Sequence, residues 1–330
     1  MAKVAPLTPE VAAIHKRLDD LQARYPDLAE PIAFYRESLP LLRQAETAIE
    51  AIALPAGRAG DKLAMGMPVL VGEDLPLDVD ATRALILQLC KAAESFAPPA
   101  PSGSTGAKGN LSRLFKRGQP DALKVIEAAQ VGDGGVIRTA AAEQIRRAIE
   151  REELSLIEVF AHLAMGDWRR VEIMAHGLRL DAEMLRVLAQ DSLKPALRVW
   201  ARGVQADTSE WKSGACPLCG SPPALSEIRG KEGARRLRCG MCGTSWHYPR
   251  LQCAFCANDD HRHLGRLMVQ GEHDKYYAQT CDVCRGYNKI VVTFDAIPVD
   301  FLAIEDLATL HLDYIASEAE YARVPVGAGR

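Results

Sequence analysis

The chain has 330 residues, 48% of them hydrophobic, enough to bury a core and to divide into more than one domain. A net charge of −3 and a pI near 6.3 argue against a dedicated nucleic-acid binder. No stretch reaches the roughly 18 uninterrupted apolar residues of a membrane span, and Met1 to Glu10 lack the apolar core of an export signal, so a cytoplasmic protein is expected.

Taken in order, residues 1 to about 205 read as helices. Thr8-Pro9-Glu10 supplies a capping hydroxyl and a proline for the first helical position. Val11, Ile14, Leu18, Leu21 and Tyr25 then recur at helical spacing until Pro26. A second helix is predicted over residues 28–54, ended by Pro55, Gly57 and Gly60. The glycine-bounded segment 66–72 reads as an extended loop against the bundle. A third helix over 79–96 places Cys90 among Leu85, Ile86, Leu87 and Leu89, the setting of a small buried apolar group.

Residues 97–109, rich in Pro, Ser and Gly, read as a mobile loop. Helices are predicted again over 121–130, 135–150, 154–165, 168–179 and 181–204. His162 and His176 lie there with no cysteine or carboxylate at ligand spacing, and read as core or surface histidines. Trp168, Trp200 and Trp211 read as packing residues.

The next stretch concentrates the chemistry. Eight of the nine cysteines fall into four Cys-x-x-Cys pairs: Cys216/Cys219, Cys239/Cys242, Cys253/Cys256 and Cys281/Cys284. Such a turn points two thiolates at one ion, and a tetrahedral site needs four. Nineteen residues separate the first two pairs and twenty-four the last two, room in each case for a hairpin that brings two knuckles face to face. Gly220 and Gly243 follow the second cysteine of their pairs, where tight turns favour glycine. Segments 235–238, 245–251, 264–270 and 288–294 alternate like short strands. Two four-cysteine ribbons in tandem follow, with a cross-braced pairing of knuckles as the less economical arrangement. Disulfides or separate redox-active pairs fit poorly in a chain without export features. A tetrahedral all-sulfur set accepts zinc or rubredoxin-type iron, and ligand identity does not separate them.

His247, His261, His263 and His273 lie within the ribbons but are surplus to eight thiolates. A last helix is predicted over 300–321, with Leu307, Leu310, Tyr314 and Tyr321 along one face. There is no phosphate-binding loop, nucleophile elbow or His-Glu-x-x-His pair, and four sulfurs per site leave no open position for a metal-bound water. No catalytic residue is predicted.

These motifs resemble one family. The stretches Cys216 to Pro223, Leu237 to His247, Arg250 to Cys256, Glu272 to Cys284, Tyr287 to Lys289 and Asp306 to Leu310 are similar to the formate dehydrogenase accessory proteins of the FdhE family. The resemblance covers residues 210–321 and carries no comparable motif in the helical half. It implies a cytoplasmic accessory protein that binds the molybdenum-containing catalytic subunit of formate dehydrogenase. It also implies two rubredoxin-like sites with the eight cysteines as ligands, iron favoured and zinc as the alternative.

The expected architecture is α+β: a mainly helical domain over 1–208, four-cysteine rubredoxin-like modules over 209–249 and 250–299, and a C-terminal helix and tail over 300–330. Two other functions are compatible with the residues. One is a rubredoxin-like electron carrier. The other is a nucleic-acid-binding zinc ribbon using Arg229, Lys231, Arg235, Arg236 and Arg238, which the overall charge disfavours.

Overall fold

A computed structural model describes residues 8–73, 75–95, 134–164, 166–269 and 275–323, the side chains of 134–139 excepted. The predicted loop 97–109, the helix 121–130, Met165 and His273 lie outside the described residues. The helical body comprises α1 (Pro9–Arg24), α2 (Ala29–Thr47), α3 (Arg58–Ala64), α4 (Val79–Glu94), α5 (Gly134–Glu150), α6 (Leu156–Ala164), α7 (Trp168–Gly177) and α8 (Ala182–Gly203). Side-chain caps set four of the starts: Thr8 accepts from the Val11 amide, Asp78 from Ala81, Asp167 from Arg170 and Asp181 from Met184. The apolar stripes of these helices close over one core that includes Ile14, Leu18, Ile32, Leu39, Ile86, Leu89, Ile145, Ile149, Leu185 and Leu188. Cys90 is fully buried in it, and burial pushes its thiol up to about 12.

Two local expectations change. Helix α2 stops at Thr47 rather than reaching residue 54, and the glycine-containing stretch Arg58–Ala64 forms a short helix of its own. Gly57 makes that helix possible by taking a left-handed conformation, φ 79°, at its N-cap.

Beyond the helices, six strands form one sheet: β1 (Pro223–Arg229), β2 (Ala234–Cys239), β3 (Ser245–His247), β4 (Leu264–Leu267), β5 (Tyr276–Cys281) and β6 (Tyr287–Thr293), in the order β3-β2-β1-β6-β5-β4. Each ribbon is an antiparallel unit of three strands. The two units join edge to edge where β1 runs parallel to β6, with Ser226 opposite Ile290 and Arg229 opposite Thr293. The first ribbon's inner strand therefore satisfies its outer hydrogen-bond row on the second ribbon.

The joint is charged as well as apolar. Glu227 is fully buried and takes both Arg229 and Arg238, while one of its oxygens accepts the Ile297 amide at 3.1 Å. Across the joint, Ser226 bonds Asn288. Arg235, 1% exposed, reaches from β2 to the carbonyls of Pro249 and Gln252 at 3.1 and 2.8 Å and lies 5.5 Å over the Tyr248 ring.

The C-terminal segment is two helices, α9 (Leu302–Ala308) and α10 (Leu310–Glu318), broken at Thr309. The Thr309 hydroxyl donates back to the Glu305 carbonyl at 2.8 Å. The break turns the expected apolar face: Leu307 is buried but Leu310 is 47% exposed, and α10 buries Leu312 and Ala316 instead. Helix α9 adds Ile304, Leu307 and Ala308 to the helical core, whereas α10 packs on Ala278 and Tyr287 of the sheet. Ion pairs fasten the two halves. Arg17 meets Glu305 at 2.7 Å, Arg198 meets Asp300 at 3.2 Å, and buried Lys289 meets Asp306 and Asp313 at 2.7 Å each.

Candidate metal centres

The structure gathers the eight ribbon cysteines into two groups, Cys216, Cys219, Cys239 and Cys242 in the first and Cys253, Cys256, Cys281 and Cys284 in the second. Pairing is sequential, not cross-braced. Within each group the four sulfurs lie within 4.8 Å of one another. Cys216 Sγ is 3.5 Å from Cys242 Sγ and Cys219 Sγ is 3.4 Å from Cys239 Sγ. In the second group the corresponding separations, Cys253 to Cys284 and Cys256 to Cys281, are both 3.7 Å. A tetrahedral site with metal–sulfur bonds of about 2.3 Å has edges of about 3.8 Å, whereas a disulfide would bring two sulfurs to about 2.05 Å. All eight are free thiols at metal-cage spacing. Both groups could therefore hold a metal ion.

The knuckles share one backbone device. In the first three, the amide after the second cysteine bonds back to the first cysteine's carbonyl: Gly220 to Cys216 at 2.9 Å, Gly243 to Cys239 at 3.1 Å and Ala257 to Cys253 at 3.0 Å. In all four the residue at that position takes positive φ: Gly220 at 78°, Gly243 at 80°, Ala257 at 60° and Arg285 at 55°. Glycine does this at no steric cost, while a side chain costs about 1–2 kcal/mol. The second ribbon thus holds its two turns against a strain that the first avoids. Backbone amides also point at sulfur, from Cys242 to Cys239 and from Phe255 to Cys253, each at 3.4 Å.

Burial couples metal binding in the first group to proton release. Burial raises the Cys216 and Cys239 thiols well above the ordinary range, and the hydrogen bonds that Cys219 receives from its three neighbours lower its own. Without a cation, burial favours the protonated form of Cys216 and Cys239. A metal must displace those protons, so binding is proton-coupled and weakens as pH falls. Dialysis at steps from about pH 8 to 4 is expected to strip both ions progressively, read as metal retained per chain. Retention of two ions at the acid end would contradict thiolate ligation.

Other candidates resolve differently. His247, His261 and His263 are exposed, and none belongs to either sulfur group. The cationic set Arg229, Lys231, Arg235, Arg236 and Arg238 does not form a free basic face. Arg235 and Arg238 are buried, Arg229 pairs with Glu227, and Arg236 bonds the Ser245 hydroxyl at 3.0 Å. Trp200 and Trp211 are buried packing residues, as expected.

One element of the site escaped sequence reasoning. Segment 66–72 packs on the first centre as well as on the helical body: the Val69 and Leu70 amides donate to the Pro217 and Leu218 carbonyls at 2.9 and 2.8 Å. Its anchor is Lys62 of α3, 2% exposed, which bonds the Val71 carbonyl and meets Glu73 at 2.7 Å. The available signal was the apolar triplet Val69-Leu70-Val71, too short to say what it would cover.

Comparison with known proteins identifies the sheet region. Residues 215–250 match the family model described as the FdhE central domain, and residues 251–327 match the FdhE C-terminal domain. A protein FdhE homolog of Aquifex aeolicus (strain VF5) is 33% identical over 186 residues, 55% of this chain and 59% of that protein. Over residues 215–327 the chain matches the FdhE family. A homolog from Pseudomonas aeruginosa is 42% identical over 119 residues, 33% of this chain and 37% of the relative. The aligned stretches thus span about three fifths and about two fifths of these two FdhE relatives. The crystal structure of the FdhE protein from Pseudomonas aeruginosa shares the fold, with a TM-score of 0.53 at 23% identity over 97% of this chain and 95% of that one. The helical body therefore belongs to the FdhE fold although the two family models begin only at Ala215. Among the described residues no helix is long and apolar enough to cross a membrane.

Proposed function

We propose that this protein is an FdhE family member and a formate dehydrogenase accessory protein that catalyses no reaction of its own. It acts in the cytoplasm by binding the enzyme's catalytic subunit through a scaffold held by two metal ions. Cys216, Cys219, Cys239 and Cys242 hold one ion, and Cys253, Cys256, Cys281 and Cys284 the other. The observation that carries the reading is the pair of four-sulfur cages on an FdhE fold: each saturates a tetrahedral ion and leaves no position for substrate. Iron is the favoured metal on the family resemblance and zinc the alternative. Either would organise the ribbons, and iron would add a one-electron redox state.

The test is capture of the formate dehydrogenase catalytic subunit by the full chain and by Cys216→Ala, alongside formate dehydrogenase activity in cells carrying each form. Capture and activity should fall together in the variant. Unchanged capture with unchanged activity would overturn the reading. The partial exposure of Cys256 and Cys284 supports a second reading, an electron carrier, because electron exchange needs a metal close to the surface. That reading requires reversible Fe(III)/Fe(II) cycling and visible absorbance. Colourless, zinc-only protein from iron-supplied cells would remove it.

A further inference from the structure

We infer that the two centres are unequal in kind: the first is a locked keystone, and the second is the site where a thiophilic cation enters and leaves. The inference rests on the reading of the eight cysteines as metal ligands and goes beyond it by dividing their work.

Cover differs first. In the first centre Cys216 and Cys239 are fully buried, Cys242 is 5% exposed and Cys219 alone is partly exposed, whereas in the second Cys253 and Cys281 are buried but Cys256 and Cys284 are both partly exposed. The helical body closes over their knuckles. The Val69 and Leu70 amides bond the first knuckle's carbonyls, and a Cβ at Gly220 would stand 3.3 Å from both Pro68 and Val71. At Gly243, in the turn closing the second knuckle, a Cβ would stand 2.6 Å from the Val299 side chain. Trp211, Met241 and Trp246 fill the remaining space around the sulfurs. Only Cys219 offers a chelator partial access here, and the other three sulfurs are reached only after the 66–72 segment or the ribbon itself has moved away.

The second centre has no such roof. Cys256 and Cys284 are partly exposed, and Val283, inside the last knuckle, is 58% exposed. Cover for that knuckle comes from the chain just after α10. Ala322 exchanges backbone bonds with Arg285 and Tyr287 at 2.9 and 3.2 Å, and Arg285 donates to the Ala319 carbonyl at 2.7 Å. An incoming ligand can approach the exposed sulfurs without displacing these contacts.

Dependence is directional as well. The knuckle Cys253–Cys256 is built on the first ribbon: Ala254 sits in the same apolar cluster as Cys216, Cys239 and Cys242. Gly214 lies so close that a Cβ there would fall 1.6 Å from the Ala254 carbonyl oxygen. Tyr248 donates its hydroxyl to the Cys253 carbonyl at 2.9 Å, and Arg235 fixes the carbonyls of Pro249 and Gln252 just upstream. The first cage thus templates half of the second. Loading runs first centre then second, and release runs in reverse, with the freed thiolates taking up protons.

The full chain loaded with two equivalents of Co(II) and challenged with excess EDTA tests this, followed through the sulfur-to-cobalt absorption. Two phases of equal amplitude are expected, the fast one about ten-fold or more quicker than the slow. Cys284→Ala should delete the fast phase and keep one slowly released ion. Gly214→Val should quicken the fast phase while leaving the slow one in place. Cys219→Ala should hold less than one ion per chain, with far-UV circular dichroism showing that the helices persist. A single common rate in the wild type, or a fast phase surviving in Cys284→Ala, would overturn the inference, and these two readouts decide it even if Cys219→Ala does not fold. Wild-type protein that binds no Co(II) would instead remove the metal reading itself.

Discussion

Cys239→Ala should lower bound metal from two ions per chain to less than one and melt the sheet region, with the helical signal largely kept. Cys239 is fully buried, 3.4 Å from the Cys219 sulfur, and it ends β2, the strand that pairs with both β1 and β3. Its loss leaves three sulfurs that cannot close a tetrahedron. In small ribbons the free energy of structural metal binding, about 10–16 kcal/mol in isolated peptides, is largely the free energy of folding. Here the fused sheet carries that loss across the β1–β6 joint to the second ribbon. The helical core is a separate cluster that contains none of the eight ribbon cysteines, so it persists. Cys90→Ala is the matched control. It removes a buried sulfur from an apolar site, so it should cost about 1–2 kcal/mol of stability and no metal. Elemental analysis and thermal unfolding followed by circular dichroism distinguish the two. Two ions retained in Cys239→Ala would mean that this sulfur is not a ligand.

The cages were legible in the sequence because a Cys-x-x-Cys turn is a local object: four covalent neighbours fix where both sulfurs point. The helical half was legible for a similar reason, since Val11, Ile14, Leu18 and Leu21 repeat the helical period within one segment. What escaped was non-local. The tandem ribbons pair through β1 and β6, which are parallel and separated by both hairpins, and no local signal announces such a joint. The arginines of the first hairpin read as a solvated basic strip until Glu227, Ser226 and the carbonyls of Pro249 and Gln252 are found around them. Burying Arg235 required partners from two separate stretches, Ser226 of β1 and residues 248–252, and spacing cannot reveal those. The break at Thr309 is a milder case. The residues from 300 to 321 contain no Gly or Pro to mark a stop, and the need of α9 and α10 to face different halves of the protein decides where the helix turns.

Glu227→Gln should destabilise the sheet by about 3–5 kcal/mol, among the largest effects available without touching a cysteine. Glu227 is fully buried, and Arg238, its partner across the β1–β2 pair, is only 4% exposed. Burial lowers the Arg238 pKa, and the Glu227 carboxylate opposes that shift and keeps the guanidinium charged. Glutamine keeps an acceptor for the Ile297 amide but removes the countercharge, so a cation remains in the sheet without compensation. Arg229 is only half-buried and can turn to solvent. The cost should therefore trace to Arg238, which a double-mutant cycle measures. Adding Arg238→Met to Glu227→Gln should restore most of the lost stability, because replacing a buried ion pair with neutral groups of similar size is often close to neutral. Chemical denaturation of the four proteins reads the coupling. Arg238 also adjoins Cys239 in β2, so the single variant should quicken metal release from the first centre and the double variant should slow it again. Equal losses in the single and double variants would place the cost in the packing of Glu227 and not in the unpaired cation.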